Sequence, residues 1–268
     1  MGTDKRARQK ANRERARQER IRKQKMTKVR KRGILFGVGI PAIVVALFFI
    51  AQLAGGDDSA SVQTTPSVSA SVNTAVVVEG ETNCPAIDGS QEQVMYFTSP
   101  MKKCIDETKS YVATFDTSEG EIVVDLNTSN VPGTVNNFVS LARYKYYDGS
   151  TIFRTDPSID IIQGGGKNNT DNPGYSIPDE GGKFAYSEGD LVMARGSEPN
   201  SGGGQFFFVT GPKASLLDSQ GTYVTFGKIS SGLDVAKAIM ALHEADDSGL
   251  GGAPSRTVTV NSITITEK

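Results

Sequence analysis

The alternation of apolar and polar residues in the second half of the chain predicts a mainly β domain. The segments SYVATFDT and GEIVVDLN place β-branched and aromatic residues at every second position around Ser118 to Gly120, which indicates a β-hairpin. Two other segments follow a helical period. One opens at Pro132 and has its apolar face at Val135, Phe138, Val139 and Ala142, and the other lies near Leu233 to Leu242. Further short strands are predicted at TIFR, DIIQ, LVMA, QFFFVT, YVTFGKI and RTVTVNSITIT. This pattern predicts a closed antiparallel barrel with helical caps.

A different pattern occupies residues 33–54, where the run from Ile34 to Ala54 carries no charge. Twenty-one residues at about 1.5 Å each cross the hydrocarbon core of a bilayer, which is roughly 30 Å thick. The sequence therefore predicts one transmembrane helix. A cleaved signal peptide is the main alternative, but its apolar region is shorter, and no clean A-x-A cleavage site follows this run.

The distribution of charge supports a membrane boundary. Residues 1–32 hold fifteen basic and three acidic residues, a net charge of +12, whereas residues 33–268 hold fourteen basic and twenty-seven acidic residues, a net charge of −13. Because basic flanks stay on the cytoplasmic side, we expect a single-pass cell-membrane protein with a cytoplasmic N-terminus and an extracytoplasmic C-terminal domain. The tail is expected to meet anionic lipid, with binding of another polyanion as the alternative and no specific nucleic acid.

Residues 55–83 are rich in Ser, Thr, Gly and Val without a sustained period, and they are predicted to be a flexible linker. Residues 84–109 form an N-terminal extension that contains both cysteines of the chain, Cys84 and Cys104. In an oxidising compartment, two cysteines that enclose a short segment favour a disulfide over a metal site, which would need further ligands. Two reduced, buried thiols are the alternative.

Several enzyme classes lack their motifs here. The chain has no G-x-S-x-G, no P-loop and no G-x-G-x-x-G sequence. With His243 as the only histidine, a histidine triad or a multi-histidine metal site is not expected, and His243 is predicted near a helix C-terminus. Asp179 and Glu180 are adjacent, and adjacent carboxylates seldom converge on one site. We therefore expect no metal and no cofactor.

From about Ser110 to Thr266, the chain resembles the cyclophilins, a family of peptidyl-prolyl cis/trans isomerases. Five sequence blocks carry the resemblance in order: TVNNFVSLARYKYYDGSTIFR, IIQGGG, NPGYSIPDE, LVMARGSEPNSGGGQFFFVT and SLLDSQGTYVTFGKISSGLDV. The resemblance implies an eight-stranded closed antiparallel β-barrel capped by two α-helices over residues 110–268. The membrane anchor and the cysteine-containing extension are similar to those of exported actinobacterial members.

The resemblance also implies roles for individual residues. Arg154 would donate a hydrogen bond to the prolyl nitrogen as the amide loses its resonance, and Gln163 would support that arginine and the substrate backbone. The remaining residues implied to bind substrate are Phe153, Ile161, Ala194, Arg195, Gln205, Phe207, Leu216, Leu217 and Tyr223.

The sequence departs from the cyclophilin pattern at several of these positions. Phe153 stands where the family has a histidine, and Leu216 stands where it commonly has a tryptophan. One extra residue lies between Arg154 and Gln163, which places Ile159 or Asp160 where an aromatic wall is usual. Because a buried carboxylate beside a proline is costly, we expect Asp160 to turn outward and Ile159 to fill the wall.

The function predicted from the resemblance is isomerisation of X-Pro bonds in exported or cell-surface polypeptides by a monomeric domain. The alternative is a catalytically weak module that binds or scaffolds proline-containing peptides at the cell surface. The departures near Arg154 support that alternative.

Overall fold

The computed structural model describes residues 80–246 and 249–268. The predicted basic tail (1–32), the predicted membrane helix (33–54) and the predicted linker up to residue 79 lie outside the described residues. Among the residues that are described, none of the helices combines the length and the apolar composition needed to span a bilayer.

The described residues form a mainly β fold with few helices. The helices are α1 (Pro132–Arg143), α2 (Leu233–Ala241) and a 3-10 helix (Pro212–Leu217). The strands are β1 (Tyr111–Thr117), β2 (Gly120–Leu126), β3 (Ser150–Ile152), β4 (Arg154–Asp156), β5 (Ile161–Gly164), β6 (Asp190–Met193), β7 (Phe206–Val209), β8 (Thr225–Ser231), β9 (His243–Ala245), β10 (Gly252–Pro254) and β11 (Val258–Glu267).

These strands make one curled antiparallel sheet, a half-barrel with the order β3-β11-β1-β2-β8-β6-β7-β5-β4-β10-β9. Within the described residues, the sheet has eleven strands, not the predicted eight. One additional strand arises because the segment 150–156 is interrupted at Phe153, so that its first half pairs with β11 and its second half pairs with β5. The other two strands form the β9–β10 hairpin, for which no alternating pattern is present in the sequence.

The main core is formed by residues of the sheet, of helices α1 and α2, and of the extension before β1. The predicted apolar face of α1 is confirmed, because Val135, Phe138, Val139 and Ala142 are all buried. Pro132 opens the helix, where its missing N–H would have had no intrahelical partner. The Glu180 carboxylate accepts hydrogen bonds from the first backbone N–H groups of α1, at residues 133 and 134. Of the adjacent acids Asp179 and Glu180, Glu180 therefore has a structural role, since it caps the N-terminus of α1.

The extension at residues 84–109 is tied to the same core. The predicted disulfide is present between Cys84 and Cys104, whose Cα atoms are 5.2 Å apart. Phe97, Met101 and Ile105 of the extension are buried in the main core. The extension has no strong period of its own, and the disulfide and these three side chains hold it against the domain.

Candidate active site

Four residues on neighbouring strands form a row across the outer face of the sheet. Arg154 on β4 pairs with Gln163 on β5, Gln163 pairs with Phe207 on β7, and Phe207 pairs with Val192 on β6. Side chains of directly paired residues in an antiparallel sheet lie on the same face. The register therefore places Arg154 and Phe207 on one face with Gln163 between them, as the predicted site requires.

The Arg154 guanidinium is held by three partners. Its Nη1 donates to Gln163 Oε1 at 3.0 Å, its Nη2 to Asp156 Oδ2 at 2.6 Å, and its Nε to the Leu250 carbonyl oxygen at 2.6 Å. The Arg154 side chain is a quarter exposed. Because a guanidinium has five N–H groups, these bonds leave two N–H groups for another acceptor. Arg154 is thus both fixed and still able to donate.

Asp156 supplies the negative charge beside this arginine. Burial opposes ionisation of Asp156, but hydrogen bonds from Ser158 and then from Arg154 outweigh it, and the pKa of Asp156 lies below its ordinary value. The carboxylate is therefore ionised at neutral pH and keeps Arg154 in place.

Gln163 links Arg154 to a chain of amide hydrogen bonds. Gln163 accepts from Arg154 and donates from Nε2 to Gln205 Oε1 at 3.0 Å, and Gln205 donates from its Nε2 to the Asp171 carbonyl oxygen at 2.8 Å. The two glutamines are partly exposed, and their amide groups form the polar border of the site.

An apolar cluster lies beside this polar border and is separate from the main core. We call it the outer cluster: its buried members are Ile161, Tyr186, Val192, Phe207, Val209 and Ala214, and its partly buried members are Ile159, Phe184, Ala194, Leu217 and Tyr223. The Phe207 and Tyr223 rings meet edge to face, with centroids 5.7 Å apart. The structure thus brings together five of the predicted substrate-binding residues: Ile161, Ala194, Phe207, Leu217 and Tyr223.

The β6 end beside the outer cluster is also ordered by hydrogen bonds. The Ala194 N–H donates to the Gln205 carbonyl at 2.9 Å. The Arg195 side chain donates from Nη1 to the Glu198 carbonyl at 2.8 Å and lies 5.8 Å from the centre of the Tyr223 ring. Arg195 is therefore held against the rim.

The insertion before β5 adopts the arrangement expected from the sequence. Ile159 lies against the outer cluster, whereas the Asp160 carboxylate accepts the Lys213 backbone N–H at 2.9 Å. Asp160 has a φ of 49°, a left-handed conformation that aspartate tolerates better than most residues. The turn thus directs the acid toward the 3-10 helix and leaves the isoleucine in the wall.

Four predicted substrate-binding residues are not part of the outer cluster: Arg195 and Gln205, which lie at its polar border, and Leu216 and Phe153. Leu216 is 66 % exposed, although the next residue, Leu217, contacts the cluster. Phe153 lines a separate hollow of about 240 Å³ with Arg154, Asn168 and Leu250. Phe153 therefore adjoins the arginine without forming part of the apolar wall.

Sequence reasoning missed three contributors to the site. Asp156 lies two positions after Arg154 on the same strand, so the period of the strand could have indicated it. Tyr186 is a second: its buried hydroxyl bonds both the N–H and the carbonyl of Tyr223, and burial raises the pKa of Tyr186 to about 12. The Leu250 carbonyl is the third, and no sequence signal marks a backbone oxygen 96 residues away.

Among the described residues, no group of three or more His, Cys, Asp or Glu side chains could hold a metal ion. The only described histidine, His243, directly follows Leu242, the C-cap residue of α2, so its predicted place near a helix C-terminus is confirmed. It is also the first residue of β9, and its Nδ1 is 2.8 Å from the Thr155 hydroxyl. The site itself offers hydrogen bonding from a fixed guanidinium next to an apolar surface.

Comparison with known proteins accounts for this arrangement. Residues 112–265 match the model of the family described as cyclophilin type peptidyl-prolyl cis-trans isomerase/CLD. The chain belongs to this family. The match covers more than half of the chain, and it confirms both the predicted resemblance and the predicted enzyme class, a peptidyl-prolyl cis-trans isomerase.

Individual cyclophilins show the same similarity. The chain is 33 % identical over 161 residues to a peptidyl-prolyl cis-trans isomerase, cyp18, of Streptomyces antibioticus, an alignment that covers 56 % of this chain and 95 % of the relative. It is 39 % identical over 121 residues to peptidyl-prolyl cis-trans isomerase B of Bacillus subtilis, with 44 % and 81 % covered. A cyclophilin-type isomerase crystal structure from Cryptosporidium parvum superposes with a TM-score of 0.50 and 27 % identity, covering 59 % of this chain and 99 % of that chain.

Proposed function

We propose that this cyclophilin catalyses cis/trans isomerisation of X-Pro bonds with Arg154 as its catalytic residue. The observation that carries the proposal is the register that puts Arg154, Gln163 and Phe207 side by side on one face of the sheet. An amide resists rotation because C–N resonance creates a barrier of about 18–20 kcal/mol. Catalysis requires a site that binds the twisted amide better than the planar one.

Arg154 supplies that difference in binding. In the twisted amide, the prolyl nitrogen becomes pyramidal and can accept a hydrogen bond, which the planar nitrogen cannot. A donor already in position stabilises this state without reorganising. Asp156, Gln163 and the Leu250 carbonyl fix the guanidinium, and two of its N–H groups stay free of these partners. We assign Asp156 and Gln163 as positioning residues.

The outer cluster provides the surface for the proline ring. Phe207, Ile161 and Leu217 give an apolar wall, and Tyr223 closes one side of it. The main chain at Ala194 and Arg195 would pair with the substrate backbone, so that side-chain identity at Arg195 matters little there. Substrates would then be proline-containing polypeptides with few constraints beyond the proline.

We further propose that the enzyme acts on exported or cell-surface proteins from a membrane-anchored position outside the cytoplasm. Three features support this location: the uncharged run from Ile34 to Ala54, the basic residues before it, and the Cys84–Cys104 disulfide. Disulfides persist in oxidising compartments. In this arrangement, the chain would be of the membrane-anchored exported actinobacterial type, the tail would contact anionic lipid, and the isomerase domain would be monomeric.

The proposal includes a closed eight-stranded barrel as the scaffold of the site. Counting the segment 150–156 as one strand and setting the β9–β10 hairpin aside leaves eight strands. The Thr151 N–H donates to the Gly166 carbonyl at 2.9 Å, which supports closure between β3 and the end of β5.

An isomerase assay on the full chain tests the proposal. We expect Arg154→Ala to lower kcat/KM on a blocked tetrapeptide containing one proline by about 100-fold or more, as for other lost transition-state donors. Arg256→Ala is the matched control, because Arg256 is exposed and pairs with Glu119 instead of the site. Equal rates for the original chain and Arg154→Ala would instead favour the proline-peptide-binding module.

A further inference from the structure

A cleft of about 510 Å³ continues from the polar border of the proposed proline site. Gln163, Ala194, Arg195 and Gln205 of the site line the cleft, and so do Gly174 and Tyr175. Because the cleft shares four residues with the site, a polypeptide bound at the proline would extend into it.

Tyr96 of the extension at residues 84–109 lies next to Gly174, one of the residues that line this cleft. A Cβ atom placed on Gly174 would lie 2.6 Å from the Tyr96 ring, so the ring lies directly against the Gly174 backbone. Gly174 also has a φ of +96°, which further favours glycine. The absence of a side chain at a cleft-lining position thus allows Tyr96 to approach.

The backbone around Tyr96 is fixed on both sides. The Val94 N–H donates to the Tyr144 carbonyl at 3.0 Å, and the Phe97 N–H donates to the Pro173 carbonyl at 2.8 Å. The buried Phe97 ring meets Tyr144 edge to face at 5.0 Å. Tyr96 is therefore presented by an ordered segment and would lose little entropy on contact with a ligand.

Tyr96 nevertheless remains 68 % exposed. The large hydrophobic residues that are exposed within the described ranges are Ile87, Met95, Tyr96, Leu216 and Leu250. Single exposed apolar residues are normal on a protein surface. Tyr96 differs from the other four because its ring lies against Gly174, a residue that lines the cleft.

We propose that Tyr96 contacts the bound polypeptide beyond the proline, and that the disulfide-closed extension thereby adds a subsite for an apolar or aromatic residue. The inference rests on the proposed function, because it takes the proline site as the anchor of the polypeptide. An exposed tyrosine suits this role, since its rigid ring offers a large contact area and its hydroxyl stays in water.

Binding of designed peptides to the full chain tests this subsite. The probes are a blocked tetrapeptide with one proline, and two longer peptides that add six Gly and Ser residues with one Phe on either the N-terminal or the C-terminal side. We expect Tyr96→Ala to weaken the dissociation constant of one longer peptide about five- to tenfold, as for a moderate interface contact, and to leave the tetrapeptide unchanged.

Two control variants keep the result specific. Tyr96→Phe retains the ring and should bind like the original chain, and Ile87→Ala removes a 73 % exposed residue of the same extension and should change nothing. Unchanged affinity of Tyr96→Ala for both longer peptides, or equal weakening for the tetrapeptide, would overturn the subsite. If the chain binds these peptides without accelerating isomerisation, the proposed catalysis is wrong. The peptide affinities of the Tyr96 variants would still show whether Tyr96 forms a subsite.

Discussion

The main core and the outer cluster are both apolar, yet their surroundings differ. Strand β7 contributes to both: Phe206 and Phe208 are buried in the core, and Phe207 is buried in the outer cluster on the other face. In the core, Phe208 meets Phe115 edge to face at 5.1 Å. The outer cluster instead lies beside Arg154, whose side chain is a quarter exposed.

This difference shows that burial alone does not identify a binding surface. Phe207 is only 3 % exposed, which is close to the value of 1 % for Phe208. The outer cluster differs from the core because it borders fixed hydrogen-bond donors. Arg154 donates to the Gln163 side chain, and the two residues are paired on strands β4 and β5. An apolar surface next to an ordered guanidinium can bind a group that is apolar and also accepts a hydrogen bond.

The largest expected effect is on stability and comes from the core. Phe208→Ala should lower the free energy of unfolding by about 3–5 kcal/mol, because the cavity is enclosed and cannot be filled by water. Urea unfolding measures this loss. Isomerase activity per folded molecule should change by less than about threefold, because Phe208 belongs to the core and not to the outer cluster. A variant that is barely destabilised but has lost its activity would contradict this division between core and site.

A smaller loss of stability is expected from the opposite face of the same strand. Phe207→Ala should cost about 1.5–3 kcal/mol, the transfer term alone, because we expect the vacated space to open toward solvent. Its main effect should be a rise in KM of roughly tenfold for a proline tetrapeptide. Steady-state kinetics beside urea unfolding test both parts. An unchanged KM would show that Phe207 is ordinary core.

The smallest expected effect is a pH dependence that comes from Asp156. Its folded pKa is depressed, so its stabilising contribution is present above the unfolded value of about 3.9 and is lost as pH falls through the folded pKa. Activity should therefore be flat from about pH 6 to 8 and decline only in the acid range. Asp156→Asn should remove that acid decline and lower kcat several-fold at neutral pH. A decline centred near neutrality would contradict this role.

Local sequence patterns predicted the elements whose apolar period is strong. The β1–β2 hairpin and the buried face of α1 follow directly from spacing, and so does the division of β7 into Phe207 and its two neighbours. The grouping of Arg154 with Phe207 did not follow from spacing, because the two lie 53 positions apart in the chain; the resemblance to cyclophilins supplied it.

The remaining features depend on tertiary contacts that carry no local signal. The β9–β10 hairpin is made of HEA and GAP, which have no alternating apolar residues. Leu216 and Leu217 are identical neighbours, and only the orientation of the 3-10 helix decides which one contacts the outer cluster. The Leu250 carbonyl holds Arg154 through a backbone atom, which any residue could supply.

The central claim is that Arg154 acts on the twisted amide and the outer cluster acts on the proline ring. Measuring kcat and KM of Arg154→Lys in the full chain tests it most directly, because lysine keeps the charge but lacks the planar fork of fixed donors. We predict that kcat falls about 100-fold while KM stays within about threefold, the signature of a contact made in the transition state. A variant with nearly unchanged kcat, or one in which only KM rises, would contradict the account.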